Sequence, residues 1–198
     1  MFFAGVRRRR QRVGWLLASG MVGLCVCAAL CEAQDGARDE YRTKAQLLAN
    51  FASFVVWPDT PVDAAASHFL ICVYGQFQFG TSLAEATRGM AVHGRRIELR
   101  WVQKDPELRS CQIVFVSRTE EKRYGKILDG LKGTPVLTVG ETANFLDAGG
   151  AIALLMRQEL LQFDVNLAAS REAHLRIGSQ ILSLAHRVVN AGTENARS

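Results

Sequence analysis

Apolar residues recur every three or four positions between Asp39 and Val56, the spacing of one face of an α-helix. The residues that form this apolar stripe are Tyr41, Ala45, Leu48, Phe51, Ala52 and Val55. Trp57 and Pro58 follow the stripe, and proline disfavours helical backbone in the residue before it. The pattern therefore predicts an amphipathic helix over 39–56 that ends at the Trp-Pro pair.

Continuous apolar runs bounded by turn residues predict buried strands. Strict alternation of apolar and charged residues instead predicts a strand with one solvent-exposed face. Three runs are of the first kind: His68–Tyr74, Cys111–Val116 and Pro135–Val139. The stretch Ile97–Val102 alternates. A late pair of strands is predicted at Ala151–Met156 and Leu161–Val165.

Helical patterns fill most of the intervals between these strands. They are predicted at Gly80–Thr87, Thr119–Leu131, Leu167–Ala173 and Ser179–Val189. Ser117 is a suitable capping residue before the second of these helices, and Gly133 follows its end. Alternating strands and helices predict an α/β fold: a single three-layer domain whose central sheet is mostly parallel with some antiparallel pairing, flanked by helices.

The first 33 residues have the pattern of an export signal. A basic segment, Met1–Arg12, precedes an apolar stretch, Val13–Leu30, and a run of small residues. Cleavage after Cys31 or Ala33 is expected, and the alternative is an uncleaved anchor in the inner membrane. In both cases the domain over 34–198 lies outside the cytoplasm.

The net charge of +5 belongs to this leader and not to the domain. Residues 1–31 contain five arginines and no acidic residue, which leaves 19 basic and 19 acidic residues in 32–198. A domain with no net positive charge lacks the electrostatic footprint of a protein that binds the nucleic-acid backbone. We therefore expect no nucleic-acid partner.

Removal of the leader also leaves two of the five cysteines, Cys72 and Cys111. Two cysteines in an exported domain are a candidate disulfide; the alternative is two buried free thiols, since each cysteine lies in an apolar run. A bond that closes a loop of roughly 40 residues would stabilise the fold by about 4 kcal/mol on the chain-entropy model. Such a bond could also act as a redox switch.

The motifs of the common enzyme classes are missing from the sequence. It contains no GxSxG, HExxH, GxxxxGK[ST] or GxGxxG, and its four histidines stand apart from one another. Asp164 and Asn166 share one face of a predicted strand, where they suggest either acid–base chemistry or the end of a strand and the cap of the next helix. We expect no enzyme activity, no catalytic residue, no metal and no cofactor.

A set of short motifs, in order along the chain, resembles the YfiR/HmsC-like family of periplasmic proteins. The opening motif contains Lys44, Asn50-Phe51, Phe54-Val55 and Trp57-Pro58. The later ones are Ile71–Gly75, Gly94-Arg95, Cys111–Ser117, Pro135–Val139, Phe145 with Gly149–Ile152, Phe163–Asn166, Leu175–Ser179, Ile181-Leu182 and Leu184-Ala185. Asp164 departs from the pattern, because the family more often has glutamate there.

The resemblance implies a function. Such proteins bind the periplasmic sensor region of an inner-membrane diguanylate cyclase and repress it, which limits cyclic di-GMP signalling and biofilm formation. It also implies that Cys72 and Cys111 occupy the cysteine positions of the family. The alternative function is a small-molecule-binding sensor that acts on a membrane kinase or transporter. A homodimer and a small-molecule ligand both remain open.

Five residues of these motifs are candidate partner contacts. Phe54 and Trp57 lie partly off the apolar stripe of the first helix, and aromatic side chains often anchor interfaces. Phe163, Asp164 and Asn166 are the other candidates. The alternative is structural: the aromatic residues belong to the core, and the polar pair ends a strand.

Overall fold

The computed structural model describes residues 36, 38–58, 67–76 and 78–190. The chain divides into two compact units, Met1–Asp39 and Glu40–Ser198. The described residues of the first unit, 36, 38 and 39, are helical. The predicted export signal and its alternative, the uncleaved anchor, lie outside the described residues. None of the helices in the described part of the chain has the length and apolar character needed to cross a membrane.

A sheet of eight strands forms the centre of the second unit, with the strand order β10-β8-β7-β6-β5-β2-β4-β3. Its strands are β2 (His68–Tyr74), β3 (Ala91–Val92), β4 (Arg95–Val102), β5 (Ile113–Val116), β6 (Leu137–Gly140), β7 (Ile152–Arg157), β8 (Leu160–Asn166) and β10 (Arg187–Val189). Two further strands, β1 (Val55–Val56) and β9 (Arg176–Ile177), form a small separate sheet.

The pairing is parallel through the middle of the large sheet. Strands β4, β2, β5, β6 and β7 run in the same direction. The hairpin of β7 and β8 is antiparallel, and its turn residues Gln158 and Glu159 both have positive φ. Strand β10 then pairs with β8 in parallel. The predicted α/β fold with a mostly parallel sheet and some antiparallel pairing is confirmed.

Helices cover both faces of the sheet. They are α1 (40–54), α2 (Ser82–Ala86), α3 (Tyr124–Asp129), α4 (Asn144–Asp147), α5 (Leu167–Glu172) and α6 (Ser179–Leu184), with 3-10 helices at Asp105–Ser110 and Arg118–Arg123. One core cluster joins α1, α2 and α6 to one face of the sheet, and a second joins α3 and α4 to the other. Apolar side chains therefore fill two interfaces, as a three-layer architecture requires.

Two predicted helices end earlier than their apolar patterns suggest. Helix α1 ends at residue 54, and Val55 and Val56 instead pair with Ile177 and Arg176 in an antiparallel ladder. Helix α6 ends at Leu184 because the backbone of Ala185 is extended, and strand β10 follows. In both places β-branched valines favour a strand as soon as a partner strand lies alongside.

The helix predicted over 119–131 also differs from the observed structure. Its first part is the 3-10 helix Arg118–Arg123, and regular α-helix begins only at Tyr124. Ser117 precedes it with extended backbone, and its hydroxyl accepts a hydrogen bond from the Thr119 N–H at 3.4 Å. The predicted cap is therefore present on a tighter helix than expected.

Candidate functional site

Cys72 and Cys111 form a disulfide, which confirms the prediction. Their Cα atoms lie 6.0 Å apart, within the usual range for the bond. Cys72 lies on β2, and Cys111 lies two residues before β5, the parallel neighbour of β2. Both side chains are buried, so the bond joins two central strands from within the second core cluster.

The five candidate partner residues differ in exposure. Phe54, at the end of α1, exposes 44% of its surface, and its backbone C=O accepts a hydrogen bond from the Gly178 N–H at 3.1 Å. The other four, Trp57, Phe163, Asp164 and Asn166, are buried. The partner-binding role of all five stays a prediction, with Phe54 the one side chain of the set that a partner can reach directly.

The two buried aromatic candidates pack in the core cluster of α1. The Trp57 ring meets the edge of Phe69 with centroids 5.0 Å apart, and its indole N–H donates to the Gln112 C=O at 3.3 Å. The Phe163 ring makes a similar contact with Phe51, at 5.5 Å. These contacts fix the end of α1 on the sheet.

Asn166 caps α5. Its side-chain oxygen accepts hydrogen bonds from the Ala168 and Ala169 N–H groups at 3.1 and 3.2 Å. Its own C=O accepts a bond from the Ser170 hydroxyl at 2.9 Å. The structure thus places Asn166 where β8 ends and α5 begins, which satisfies N–H groups that the first turn of a helix leaves without partners.

Asp164 is the centre of a charged cluster at one end of the sheet. Its carboxylate is fully buried and accepts hydrogen bonds from both terminal nitrogens of Arg157, at 3.1 and 2.8 Å. Arg187 Nε donates to the same carboxylate at 3.1 Å, and His186 Nδ1 lies 3.2 Å away. Since these groups come from β7, β8 and the start of β10, the cluster ties the three strands together.

The pKa of Asp164 shows what this cluster can do chemically. Burial alone would raise that pKa, but the hydrogen bonds and charges of Arg157, His186 and Arg187 outweigh it and hold the pKa below its usual value. The carboxylate is therefore ionised at neutral pH and is a poor proton acceptor. Such a group suits charge pairing better than acid–base catalysis.

A second buried cluster surrounds Glu141, directly after β6. The Glu141 carboxylate forms an ion pair with Lys44 of α1. It also accepts hydrogen bonds from Tyr41 OH at 2.9 Å and from the backbone N–H of Arg118 at 2.7 Å. Glu40 completes the cluster, 2.5 Å from Lys44. Burial would raise the pKa of Glu141, but Lys44 and Arg118 hold it below its usual value.

The strand order reverses between β2 and β5, the place where α/β sheets of this kind usually bind ligands. Here the described residues of the loops after β2 and β5 approach one another closely. Gly75 (φ +93°) follows β2, and a Cβ atom on it would lie 2.8 Å from Glu120 Cγ and 3.0 Å from Thr119 Oγ1. Gly75 after β2 therefore packs directly on the segment Ser117–Glu120 after β5.

A family model described as YfiR/HmsC-like matches residues 41–186. This chain belongs to the YfiR/HmsC-like family. Membership suggests a periplasmic regulator of diguanylate cyclases and a regulatory, non-catalytic role. The matched region of this family member contains the disulfide, Lys44 and Glu141, and Asp164 with Arg157.

Two solved structures match part of this chain at 12% sequence identity each. One is an ABC domain in complex with L-Trp from Streptococcus pneumoniae, with a TM-score of 0.45, over 62% of this chain and 55% of that chain. The other is a conserved domain protein from Vibrio cholerae, with a TM-score of 0.42, over 65% of this chain and 58% of that chain. The chain thus spans little more than half the length of either.

Sequence reasoning missed most members of the two charged clusters of this YfiR/HmsC-like chain. Lys44 gave a signal, because it follows Tyr41 by three positions and so falls beside the apolar stripe of α1. Glu141, Arg157 and Arg187 gave none, since each contacts its partners only through the fold. Within the described ranges, no group of three or more His, Cys, Asp and Glu side chains is arranged to hold a metal ion.

Proposed function

We propose that this protein is exported to the periplasm, where it binds and represses the periplasmic sensor region of an inner-membrane diguanylate cyclase. The observation that supports the proposal most strongly is the match to the YfiR/HmsC-like family over 41–186. In this proposal residues 1–33 are the export signal and 34–198 are the regulatory domain. Repression would lower cyclic di-GMP and so limit biofilm formation.

The internal architecture supports a binding role. A disulfide joins β2 to β5, and two buried clusters join α1 to β6 and β7 to β10. Each cluster contains a carboxylate whose pKa is held low, which keeps it ionised and paired. A rigid scaffold of this kind suits a protein that presents a fixed surface to a partner, because less conformational entropy is lost on binding.

The proposed contact surface includes the end of α1. Phe54 exposes nearly half of its surface, and Val56, two residues further on, is also exposed. Both belong to a segment fixed on one side by the β1–β9 ladder and on the other by the Phe69 contact of Trp57. Exposed aromatic side chains on a rigid support are typical anchors of protein–protein interfaces.

The test compares cellular cyclic di-GMP in a strain that lacks the gene, its parent and a complemented strain. We expect cyclic di-GMP to rise on deletion and to return to the parental concentration on complementation. A second arm co-purifies the membrane cyclase with the protein by affinity capture. Unchanged cyclic di-GMP under several growth conditions, with no cyclase captured, would contradict the proposal.

A further inference from the structure

Strand β4 occupies an edge of the large sheet along most of its length. It pairs with β2 from Arg96 to Val102, whereas β3 covers its outer side only at Arg95 and Arg96. Over the described residues, no strand lies beside the outer side of β4 beyond that point. An edge strand of this length can accept another strand, because its outward N–H and C=O groups continue the hydrogen-bonding pattern of the sheet.

The direction of the backbone groups follows from one hydrogen bond. The Ile97 N–H donates to the Met90 C=O at 3.4 Å, on the outer side, away from β2. Backbone groups alternate in direction along a strand, so those of Leu99 point to the same outer side. The backbone N–H and C=O of Leu99 therefore point towards the position that an added strand would occupy.

A groove with a volume of about 450 Å³ runs beside this edge, between β4 and the segment after α2. Its floor is partly apolar, with Ala84, Met90, Ile97 and Leu99, and Arg88 and Arg96 also line it. The exposed indole of Trp101 lies farther along the edge, fixed by a hydrogen bond from its N–H to the Gly75 C=O at 2.9 Å. The groove offers space for side chains of an added strand.

The edge is positively charged although the domain as a whole is neutral. Residues 84–104 contain five basic and two acidic residues. One of the acids, Glu98, is engaged by Arg100 at 2.8 Å and His68 at 3.5 Å. Arg88 and Arg96 have no ion-pair partner among the described residues. A partner with negative charge would complement them.

From these observations we infer that the outer edge of β4 is a docking surface for an extended, acidic segment of a partner protein, which binds as an added strand. The backbone of β4 supplies the hydrogen bonds, the groove takes apolar side chains, and the arginines favour acidic ones. A second copy of this chain fits poorly, because its own β4 edge has the same positive charge. The inference is independent of the proposed cyclase partner, since it rests on β4 and the groove beside it.

The probe for the test is a fluorescein-labelled peptide that alternates glutamate and valine, with a lysine–valine peptide as its counterpart. Fluorescence anisotropy with the purified protein measures affinity. We expect the acidic peptide to bind at least about tenfold more tightly than the basic one, and the preference to weaken between about 50 and 500 mM NaCl as charges are screened. Hydrogen exchange should show new protection at residues 97–102 in the complex.

Two variants locate the site. Arg88→Glu/Arg96→Glu should weaken binding about tenfold or more, through like-charge repulsion. The matched control, Arg171→Glu/Arg176→Glu, makes the same charge change at exposed positions on α5 and β9 and should leave binding unchanged. Leu99→Pro removes an outward N–H without touching the β2 ladder and should also weaken binding, with circular dichroism as the check on folding.

Four results would overturn the inference: equal binding of the two peptides, no binding of either, protection outside 97–102, or equal weakening by both charge-reversal variants. Two further results would overturn the acidic segment as the occupant and indicate a different one. Displacement of the peptide by glutarate at equal concentration would indicate a site for small carboxylates, as the alternative sensor function expects. A dimer that Leu99→Pro dissociates, measured by light scattering, would indicate a second copy of this chain.

Discussion

At the scale of single residues, the main finding is that fully buried carboxylates organise this protein. Glu141 and Asp164 each lie in the interior with at least one arginine, and Glu141 also has the fully buried Lys44. Removing one partner from such a pair leaves an uncompensated charge, which usually costs more than the intact pair contributes. These residues are therefore positions at which a substitution strongly affects stability.

Glu141→Gln tests the first cluster through its pH dependence. The pKa of Glu141 is lower in the folded protein than its usual value. As the pH falls below about 4.3, the unfolded chain takes up a proton on Glu141 that the folded protein does not. The stabilisation by the ionised Glu141 carboxylate is therefore fully present above that pH and is lost progressively below it. We expect the variant to be less stable than the parent by about 2 kcal/mol at pH 7, with the difference shrinking towards pH 3.

The measurement is urea unfolding from pH 3 to pH 8. Asp147→Asn is the control, because Asp147 is exposed and without an ion pair among the described residues. The free energy of unfolding of Asp147→Asn should equal that of the parent at every pH. A difference between Glu141→Gln and the parent that does not change with pH would show that the Glu141 charge has no role in folding.

At the scale of elements, Phe145 of α4 packs against two glycines. A Cβ atom added to Gly140 of β6 or to Gly150 would lie 2.2 Å from its ring. The ring is fully buried and stacks edge-on against Tyr124, with centroids 4.9 Å apart, so it has no room to move. Glycine at these positions allows α4 to lie close against the end of the strand.

Gly140→Ala should therefore destabilise the protein by about 1–3 kcal/mol through overpacking. The matched control is Gly125→Ala in α3, where an added Cβ would have no atom within 4 Å and the φ angle is not positive. That change should be neutral, or stabilising by up to about 1 kcal/mol, since alanine favours helix. Thermal melting measures both, and equal melting temperatures for the two variants would refute the packing argument.

The disulfide is the second element-scale feature, because it joins β2 to β5 across 39 residues of sequence. Cys72→Ala/Cys111→Ala should lower the free energy of unfolding by up to about 4 kcal/mol on the chain-entropy model. The parent treated with a reductant should approach the melting temperature of the variant, and the variant should not respond to reductant. An unchanged melting temperature in the double variant would exclude the bond as a redox switch of stability.

Elements differ in how far the sequence could predict them. Strands β2 and β5 are continuous apolar runs, so the local pattern alone predicts them. The apolar pattern predicts Val55-Val56 and Arg187–Val189 as helix ends. Both are short strands in the structure, because a two- or three-residue strand exists only through its partner, which lies far away in sequence. The disulfide could be predicted from cysteine count, whereas Glu141 could not be linked to Lys44 until the fold placed them together.

At the scale of the whole molecule, the proposed repression requires a surface that the core does not use. Phe54 and Trp57 belong to one motif, yet Trp57 packs on Phe69 and Phe54 faces outwards. A change at Trp57 would disturb folding and binding together and so could not separate them. Phe54 is the position at which loss of partner binding can be observed in a protein that is still folded.

Phe54→Ala in the complemented deletion strain should therefore raise cyclic di-GMP towards the concentration in the deletion strain. The melting temperature of the purified variant should stay within a few degrees of the parental one, as is usual for surface substitutions. Leu160→Ala is the matched control: Leu160 is 64% exposed but lies at the β7–β8 turn. It should repress like the parent. If both variants repress like the parent, the end of α1 is not the contact surface, and a partner would have to bind elsewhere, with the β4 edge as the next surface to test.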